Sequence, residues 1–296
     1  MKNGKALGAD GTSAELLQAK ESLAPTILSK LFCEIWTSEN ISEDWKTGLI
    51  VTLAKKGDLL DCNNWRGKTL LSLTSKVFGK VILERLTATL EKDIGKEQVC
   101  FRKGRSCSVH IFTLKQILKH GKEWNSTVYA NSAVLEKAFD SIHRETLWYI
   151  LRHYGIPSRI VNIVRMLYRD CQAQAICGNK LTEPFIIQAE VKQGCILSPF
   201  LFSLGIYWVM KNTAKDQRGI RWTLFQVLSD LDFADDIGLL AHRHTDMQFM
   251  TEDLASTAAI FGLKVSTITI EENQVHENEP SLRCTQHPTW KCGRRS

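Results

Sequence analysis

Residues 231–240, Leu-Asp-Phe-Ala-Asp-Asp-Ile-Gly-Leu-Leu, place two adjacent carboxylates between apolar segments. Residues 224–232 and 237–241 predict the two arms of a β-hairpin, with Asp235 and Asp236 near its tip. Adjacent carboxylates repel each other unless a cation neutralises them. With a further acid on a neighbouring strand, such a pair can hold two Mg²⁺ ions. The alternative is an acidic turn in contact with solvent, so this pair is a candidate metal site and no more.

The segments around the hairpin alternate between strand and helix patterns, which predicts a mixed α+β fold. Strands are predicted at 45–54, 128–135 and 185–191. Residues 63–67 are predicted to be a turn that leads into a helix, because apolar residues recur at i, i+4 spacing from Val77 to Leu90. Further helices are predicted at 109–118, 143–153, 158–168, 198–213 and 247–261.

Basic side chains are concentrated in several predicted loops, where they can reach a triphosphate or a nucleic-acid backbone. These residues are Lys55, Lys56, Arg66, Arg102, Lys103 and Arg105. Solvated surface charges are the plainer interpretation of each one taken alone.

Composition limits the classes of protein that the chain can represent. It has 296 residues, 44% hydrophobic and 24% charged, which excludes general disorder, collagen-like repeats and a coiled coil as the main architecture. The formal net charge of +6 leans only mildly towards polyanionic partners. No apolar run approaches the roughly 20 residues of a membrane-spanning helix. The nine cysteines, without a secretory signal, predict reduced thiols in an intracellular protein, nuclear or cytoplasmic and not secreted.

Taken in order, these motifs resemble the reverse-transcriptase domain of non-long-terminal-repeat (LINE-type) retrotransposons, from about Asn3 to about Lys264. The stretches that carry the resemblance are NGKALGADG (3–11), WKTGLIVTLAKKGD (45–58), NNWRGKTLL (63–71), EQVCFRKGRSC (97–107), LEKAFDSIHRETLW (135–148), VKQGCILSPFLF (191–202) and LDFADDIGLL (231–240). The resemblance implies an α+β right-hand polymerase with fingers and an antiparallel palm sheet. It implies fingers at 1–124, and a palm at 125–265 with a helical insertion at about 143–183. The thumb is expected to be missing, and 266–296 to be an unrelated, disordered tail.

The resemblance also implies roles for individual residues. Asp235 and Asp236 match the acidic pair that binds catalytic Mg²⁺. Phe139 matches the residue beneath the sugar of the incoming nucleotide, and Gln193 and Gly194 match a turn beside that nucleotide. Lys55 or Lys56, with Arg66, match residues that grip the triphosphate, whereas Arg102, Lys103 and Arg105 match a basic loop near the template. The implied partners are an RNA template, a DNA primer and deoxynucleoside triphosphates, with no membrane partner.

The chain departs from the family pattern at Val134. The first palm motif should begin with an aspartate that bridges both metal ions, and valine offers no side-chain oxygen to Mg²⁺. Glu136 faces the same side of the predicted strand, but it would enter about 6–7 Å further along. We therefore expect RNA-directed DNA polymerase activity to be impaired or absent. The alternatives are a non-catalytic nucleic-acid-binding remnant and a relic without function that lacks a stable fold.

Overall fold

The computed structural model describes residues 3–19, 23–90, 106–136, 138–178, 180–187, 194–213, 218–222 and 227–273. Its α-helices are α1 (Ala14–Gln18), α2 (Leu23–Ser38), α3 (Leu73–Leu90), α4 (Cys107–Glu123), α5 (Ala138–Ser141), α6 (Arg144–His153), α7 (Ser158–Tyr168), α8 (Ser198–Thr213) and α9 (His244–Ile260). Its strands are β1 (Thr47–Ala54), β2 (Trp65–Leu70), β3 (Val128–Glu136), β4 (Gln172–Cys177), β5 (Lys180–Leu181), β6 (Phe185–Ile186), β7 (Ile220–Arg221), β8 (Val227–Leu228), β9 (Asp230–Phe233), β10 (Asp236–Ala241) and β11 (Lys264–Asn273). This mixture is the predicted α+β class.

The described residues divide into two compact units that are discontinuous in sequence. The first lies within 1–95, 137–208 and 261–263, and the second within 96–136, 209–260 and 264–296. The predicted fingers and palm regions are continuous stretches, so their assignment to 1–124 and 125–265 stays a prediction.

The first unit contains a mixed sheet in the order β2-β1-β4-β5, with β6 also paired to β4. Strand β1 pairs antiparallel with β2 and parallel with β4. The predicted turn at 63–67 is therefore wrong in part, because Trp65, Arg66 and Gly67 are already paired with β1. The apolar stripe of α3 is buried as predicted, with Phe78 and Ile82 at most 2% exposed.

The second unit contains an antiparallel sheet in the order β11-β3-β10-β9, on which α9 packs. The predicted tail at 266–296 is wrong over its first residues, because β11 continues to Asn273 and pairs with β3 on both sides of a register shift between Val265 and Thr267. Backbone pairing with a neighbouring strand supplies the order that the side-chain pattern did not indicate. The rest of that segment, 274–296, lies outside the described residues.

In the part of the chain that the structure describes, no helix is both long and apolar enough to cross a membrane.

Candidate nucleotidyl-transfer site

A tight hairpin between β9 and β10 presents the two aspartates. Phe233 pairs with Asp236, so Ala234 and Asp235 form a two-residue turn. Ala234 has φ +58°, a positive value of the kind that two-residue hairpin turns require at their first central position. The apolar residues of β10, such as Ile237 and Leu239, are at most 1% exposed and fix the strand in the core. The carboxylates of Asp235 and Asp236 are left at the sheet's end, both partly buried.

The pairing of β10 with β3 brings the first palm motif to the same place. Asp236 lies directly opposite Val134, and the Leu135 amide donates a hydrogen bond of 3.0 Å to the Asp235 carbonyl oxygen. Directly opposed residues of antiparallel strands have their side chains on one face, with Cβ atoms about 4.5–5.5 Å apart. Position 134 is therefore the cross-strand neighbour of Asp236.

The side chains at this end of the sheet do not fit a two-metal centre. The Val134 side chain supplies no oxygen, and the Val134 backbone carbonyl oxygen already accepts a 3.0 Å hydrogen bond from the Ser266 hydroxyl at a bulge in β11. Within the described ranges, no group of three or more His, Cys, Asp or Glu side chains could hold a metal ion. Asp235 and Asp236 are the donors that remain for a divalent cation, which prefers six or more oxygens overall.

The carboxylate of Glu136 forms an ion pair with a lysine of the neighbouring strand β11. Glu136 is the cross-strand partner of Lys264, whose Nζ lies 3.3 Å from the Glu136 carboxylate. Both side chains are exposed, and Lys264 belongs to β11, which borders β3 on the side away from β10. This ion pair with the neighbouring strand gives Glu136 a partner other than the aspartates, and it does not favour Glu136 as a substitute ligand.

Sequence reasoning missed two acids on β9. Asp230 and Asp232 are 6% and 1% exposed, and their spacing of two residues puts them on one face of the strand. The hydroxyl of Ser229 donates a hydrogen bond to Asp230. The Asp-x-Asp alternation is visible in the sequence, but the burial of both residues is not. An aspartate at either position of a strand is more often exposed to solvent, and the sequence alone does not distinguish the two cases.

The predicted triphosphate residues lie in the first unit, around the β1–β2 hairpin. Lys55 and Lys56 directly follow β1, and Arg66 lies on β2 opposite Leu53, all three exposed. The Lys55 amide donates to the Asn64 carbonyl oxygen at 2.7 Å, which closes the loop between the strands. The hairpin therefore brings Lys55 and Arg66 to the same end of β1 and β2.

Gly194 approaches β2 so closely that no other residue fits without a shift. Its φ is +115°, and a Cβ atom there would lie 2.3 Å from the Thr69 carbonyl oxygen. In the same unit the Phe139 ring stacks on Phe202 of α8, with centroids 4.2 Å apart and planes inclined by 19°. This contact orients the Phe139 ring. Gln193, Arg102, Lys103 and Arg105 lie outside the described residues, so their placement stays a prediction.

Comparisons with known proteins point to one family. A family model described as reverse transcriptase (RNA-dependent DNA polymerase) matches residues 53–268. The "Transposon TX1 uncharacterized 149 kDa protein" of Xenopus laevis is 27% identical over 256 residues, which cover 84% of this chain and 19% of that protein. A Pol polyprotein from the type-2 retrotransposable element R2DM of Drosophila melanogaster is 24% identical over 219 residues, 72% of this chain and 20% of that protein. The chain thus spans about a fifth of the length of these relatives.

Solved structures show the same fold. Apo telomerase from Candida tropicalis, truncated from its C-terminal domain, superposes with a TM-score of 0.58 at 12% identity. The match covers 81% of this chain and 52% of the telomerase chain. Telomerase from Candida albicans, in complex with a TWJ fragment of telomeric RNA, gives 0.57 at 11% identity, over 82% and 46% of the two chains. The polymerase-type α+β fold predicted from the motif order is confirmed.

Proposed function

The chain belongs to the reverse transcriptase (RNA-dependent DNA polymerase) family, and from that premise we propose that it is a non-long-terminal-repeat reverse-transcriptase domain whose nucleotidyl transfer is impaired at Val134. The observation that carries the proposal is the strand register, in which Val134 lies opposite Asp236. Position 134 lies beside Asp236, as the proposal requires, but it carries a valine where the family pattern has an aspartate.

The physical reason is the nature of the reaction. Phosphoryl and nucleotidyl transfer depend on positioning and on electrostatic stabilisation of developing charge, and reverse transcriptases generally use divalent metal ions for both. A valine at a bridging position leaves the metal with fewer oxygen ligands. We take the metal to be Mg²⁺, bound weakly by Asp235 and Asp236.

The remaining proposed roles concern substrates. Lys55, Lys56 and Arg66 would contact the triphosphate of a deoxynucleoside triphosphate, and Arg would contribute a planar fork of donors suited to phosphate oxygens. Phe139, held by its stack on Phe202, would contact the sugar. Gln193 and Gly194 would lie beside the nucleotide, and Arg102, Lys103 and Arg105 beside the backbone of an RNA template. The RNA bound by the Candida albicans telomerase supports RNA as the template class.

Primer extension tests the proposal. The full chain, Val134→Asp and the matched control Val134→Asn would each be given an RNA template, a DNA primer, deoxynucleoside triphosphates and Mg²⁺. We expect extension by Val134→Asp alone, because asparagine has nearly the same size and polarity but lacks the charge. Equal extension by the unchanged chain would contradict the impairment. Inactivity of all three proteins would contradict Val134 as its main cause.

A second candidate is a nucleic-acid-binding protein without catalysis. It is favoured by the exposure of Lys55, Lys56 and Arg66, which does not depend on the residue at 134. This candidate predicts RNA binding whose affinity falls steeply with salt, because each phosphate contact releases counterions. Arg66→Gln should weaken RNA binding. It should also reduce the slope of log affinity against log salt concentration by the share of about one phosphate contact. Binding that ignores salt would contradict it, and the absence of a cooperative unfolding transition would favour a relic without function.

A further inference from the structure

A cavity of about 380 Å³ lies in the second unit. Its walls are the C-terminal turn of α4, the start of β3, strand β7 and the residue that follows β10. None of the residues proposed above for catalysis or for the incoming nucleotide is among the described residues that line it. Its size lies within the usual range of small-molecule sites, about 300–1,000 Å³.

The floor of the cavity is apolar and rigid. Ile117, Val128 and Ile220 are at most 5% exposed and form one core cluster with Leu240. A floor of this kind is suited to the edge or face of a flat apolar group. It also means that the cavity is built on packed helix and strand residues, and not on loops alone.

Two tryptophan side chains that line the cavity are exposed to solvent and are not part of the packed core. Trp124 is 78% exposed and Trp222 is 42% exposed. Large aromatic side chains normally gain stability by burial, so two of them exposed beside one cavity mark a surface with another use. The His120 ring lies edge-on to Trp222, with centroids 6.4 Å apart and planes at 88°, which orients that indole.

The polar groups of the cavity are basic or neutral. Arg221 and His242 line it together with His120, and none of the ten described lining residues is acidic. The Nδ1 atom of His242 lies 3.2 Å from the Thr127 carbonyl oxygen and 3.4 Å from the Ser126 hydroxyl oxygen, which fixes the ring at the cavity wall. Glu123 lies 3.5 Å from His120 but outside the lining. Arg221 therefore gives the cavity a positive edge.

We propose that this cavity binds a single unpaired nucleotide. The base would stack on Trp222 or Trp124 above the apolar floor, and the phosphate would contact Arg221. Base stacking on aromatic side chains tolerates any base, because every base has a flat π-face. An organic cation would also be attracted by the indoles, but Arg221 would repel it. The nucleotide could be free or part of a single strand, and the proposal does not rest on polymerase activity.

Calorimetric titration of the full chain with AMP and with adenosine tests the proposal. We expect saturable AMP binding that weakens about tenfold or more in Trp222→Ala, since stacking on an aromatic residue accounts for a change of that size. Arg221→Gln should weaken AMP binding and leave adenosine binding unchanged, because only AMP carries the phosphate. Tyr149→Ala, which removes an exposed aromatic side chain from the first unit, is the matched control and should bind as the unchanged chain does.

A second set of titrations separates the two sources of the nucleotide. If AMP binds and a ten-nucleotide oligoadenylate does not, the ligand is a free nucleotide; if the oligoadenylate binds with the same dependence on Trp222, it is a single strand. Trp124→Ala keeps the test decisive if Trp222→Ala does not fold, because so exposed an indole contributes little packing. No saturable binding of either probe, equal weakening in Tyr149→Ala, or equal binding of the oligoadenylate in a duplex would overturn the proposal.

Discussion

Val134 and Asp236 are directly opposed on adjacent antiparallel strands, with a further backbone hydrogen bond of 3.0 Å from Leu135 to Asp235 beside them. The side chains of a directly opposed pair lie on the same face of a sheet. An acid at 134 would consequently stand beside Asp236 without any change of backbone. The strand register therefore puts position 134 beside Asp236, whichever side chain position 134 carries.

Val134→Asp should make the stability of the chain depend on divalent cations. In EDTA, like charges in directly opposed positions should destabilise the variant by about 0.2–1 kcal/mol, in addition to the lost packing of valine. Added Mg²⁺ should reverse part of this loss, since a ligand that binds only the folded state stabilises it by mass action. The measurement is the thermal midpoint in EDTA and in Mg²⁺. Val134→Asn is the control, and a cation response of equal size in both variants would contradict the prediction.

Glu136→Gln should leave that cation response unchanged. The carboxylate of Glu136 is paired with Lys264 at 3.3 Å, and both side chains are exposed. Exposed pairs of this kind typically contribute 0.2–1 kcal/mol, screened by salt. Urea unfolding of Glu136→Gln in low and high salt should show a loss within about 1 kcal/mol that fades as salt increases. If the substitution instead removed Mg²⁺ binding from Val134→Asp, Glu136 would be a ligand after all.

Gly194→Ala should destabilise the chain more than Gly178→Ala. Both glycines have positive φ, +115° and +62°, so both substitutions carry a backbone cost of roughly 1–3 kcal/mol. Only Gly194 adds a collision, because its Cβ would lie 2.3 Å from the Thr69 carbonyl oxygen, whereas nothing lies within 4 Å of a Cβ at Gly178. Overpacking typically costs a further 1–3 kcal/mol. Urea denaturation of the two variants measures the difference, and equal losses would show that β2 yields freely at Thr69.

The sequence predicted those elements whose pattern is local. The amphipathic helices at 143–153 and 158–168 appear as α6 and α7 with nearly the same bounds, because their apolar spacing already defines a buried face. The acidic hairpin was predicted for a similar reason, since two short apolar arms flank a turn. Its first arm is shorter than expected, with β9 beginning at Asp230.

Elements that depend on a distant partner were predicted less well. Strand β2 carries exposed residues from Trp65 to Lys68 and has no apolar alternation, so its strand state comes from its pairing with β1. No strand was predicted at 264–273, and residues from 266 onward were expected to be a disordered tail; β11 forms there because it pairs with β3 as far as Val128. Tertiary pairing overrides local propensity in both cases. The candidate site shows the same dependence on distant partners. The Lys264–Glu136 ion pair arises because β11 and β3 pair in a register that places these two residues opposite each other.

Tyr168→Phe should change the pH dependence of stability above pH 10. Burial, followed by the nearby Cys195, raises the pKa of Tyr168 well above its usual value, and its hydroxyl lies 2.9 Å from the Ser198 hydroxyl. The unfolded chain therefore ionises this phenol first, near pH 10, while the folded chain keeps its proton. A group whose pKa is raised in the folded state contributes its full stability below the unfolded pKa and loses it as pH rises.

The test is urea denaturation of the unchanged chain and of Tyr168→Phe at pH 8, 10 and 11. At pH 8 the variant should be less stable by about 1 kcal/mol, the typical net value of one hydrogen bond. Relative to the variant, the unchanged chain should lose about 1.4 kcal/mol by pH 11, since one pKa unit corresponds to 1.36 kcal/mol. Ser198→Ala, which removes the hydrogen-bond partner but keeps the phenol, should retain that loss. A constant difference between the unchanged chain and Tyr168→Phe from pH 8 to 11 would mean that the phenol of Tyr168 ionises as readily in the folded chain as in the unfolded one.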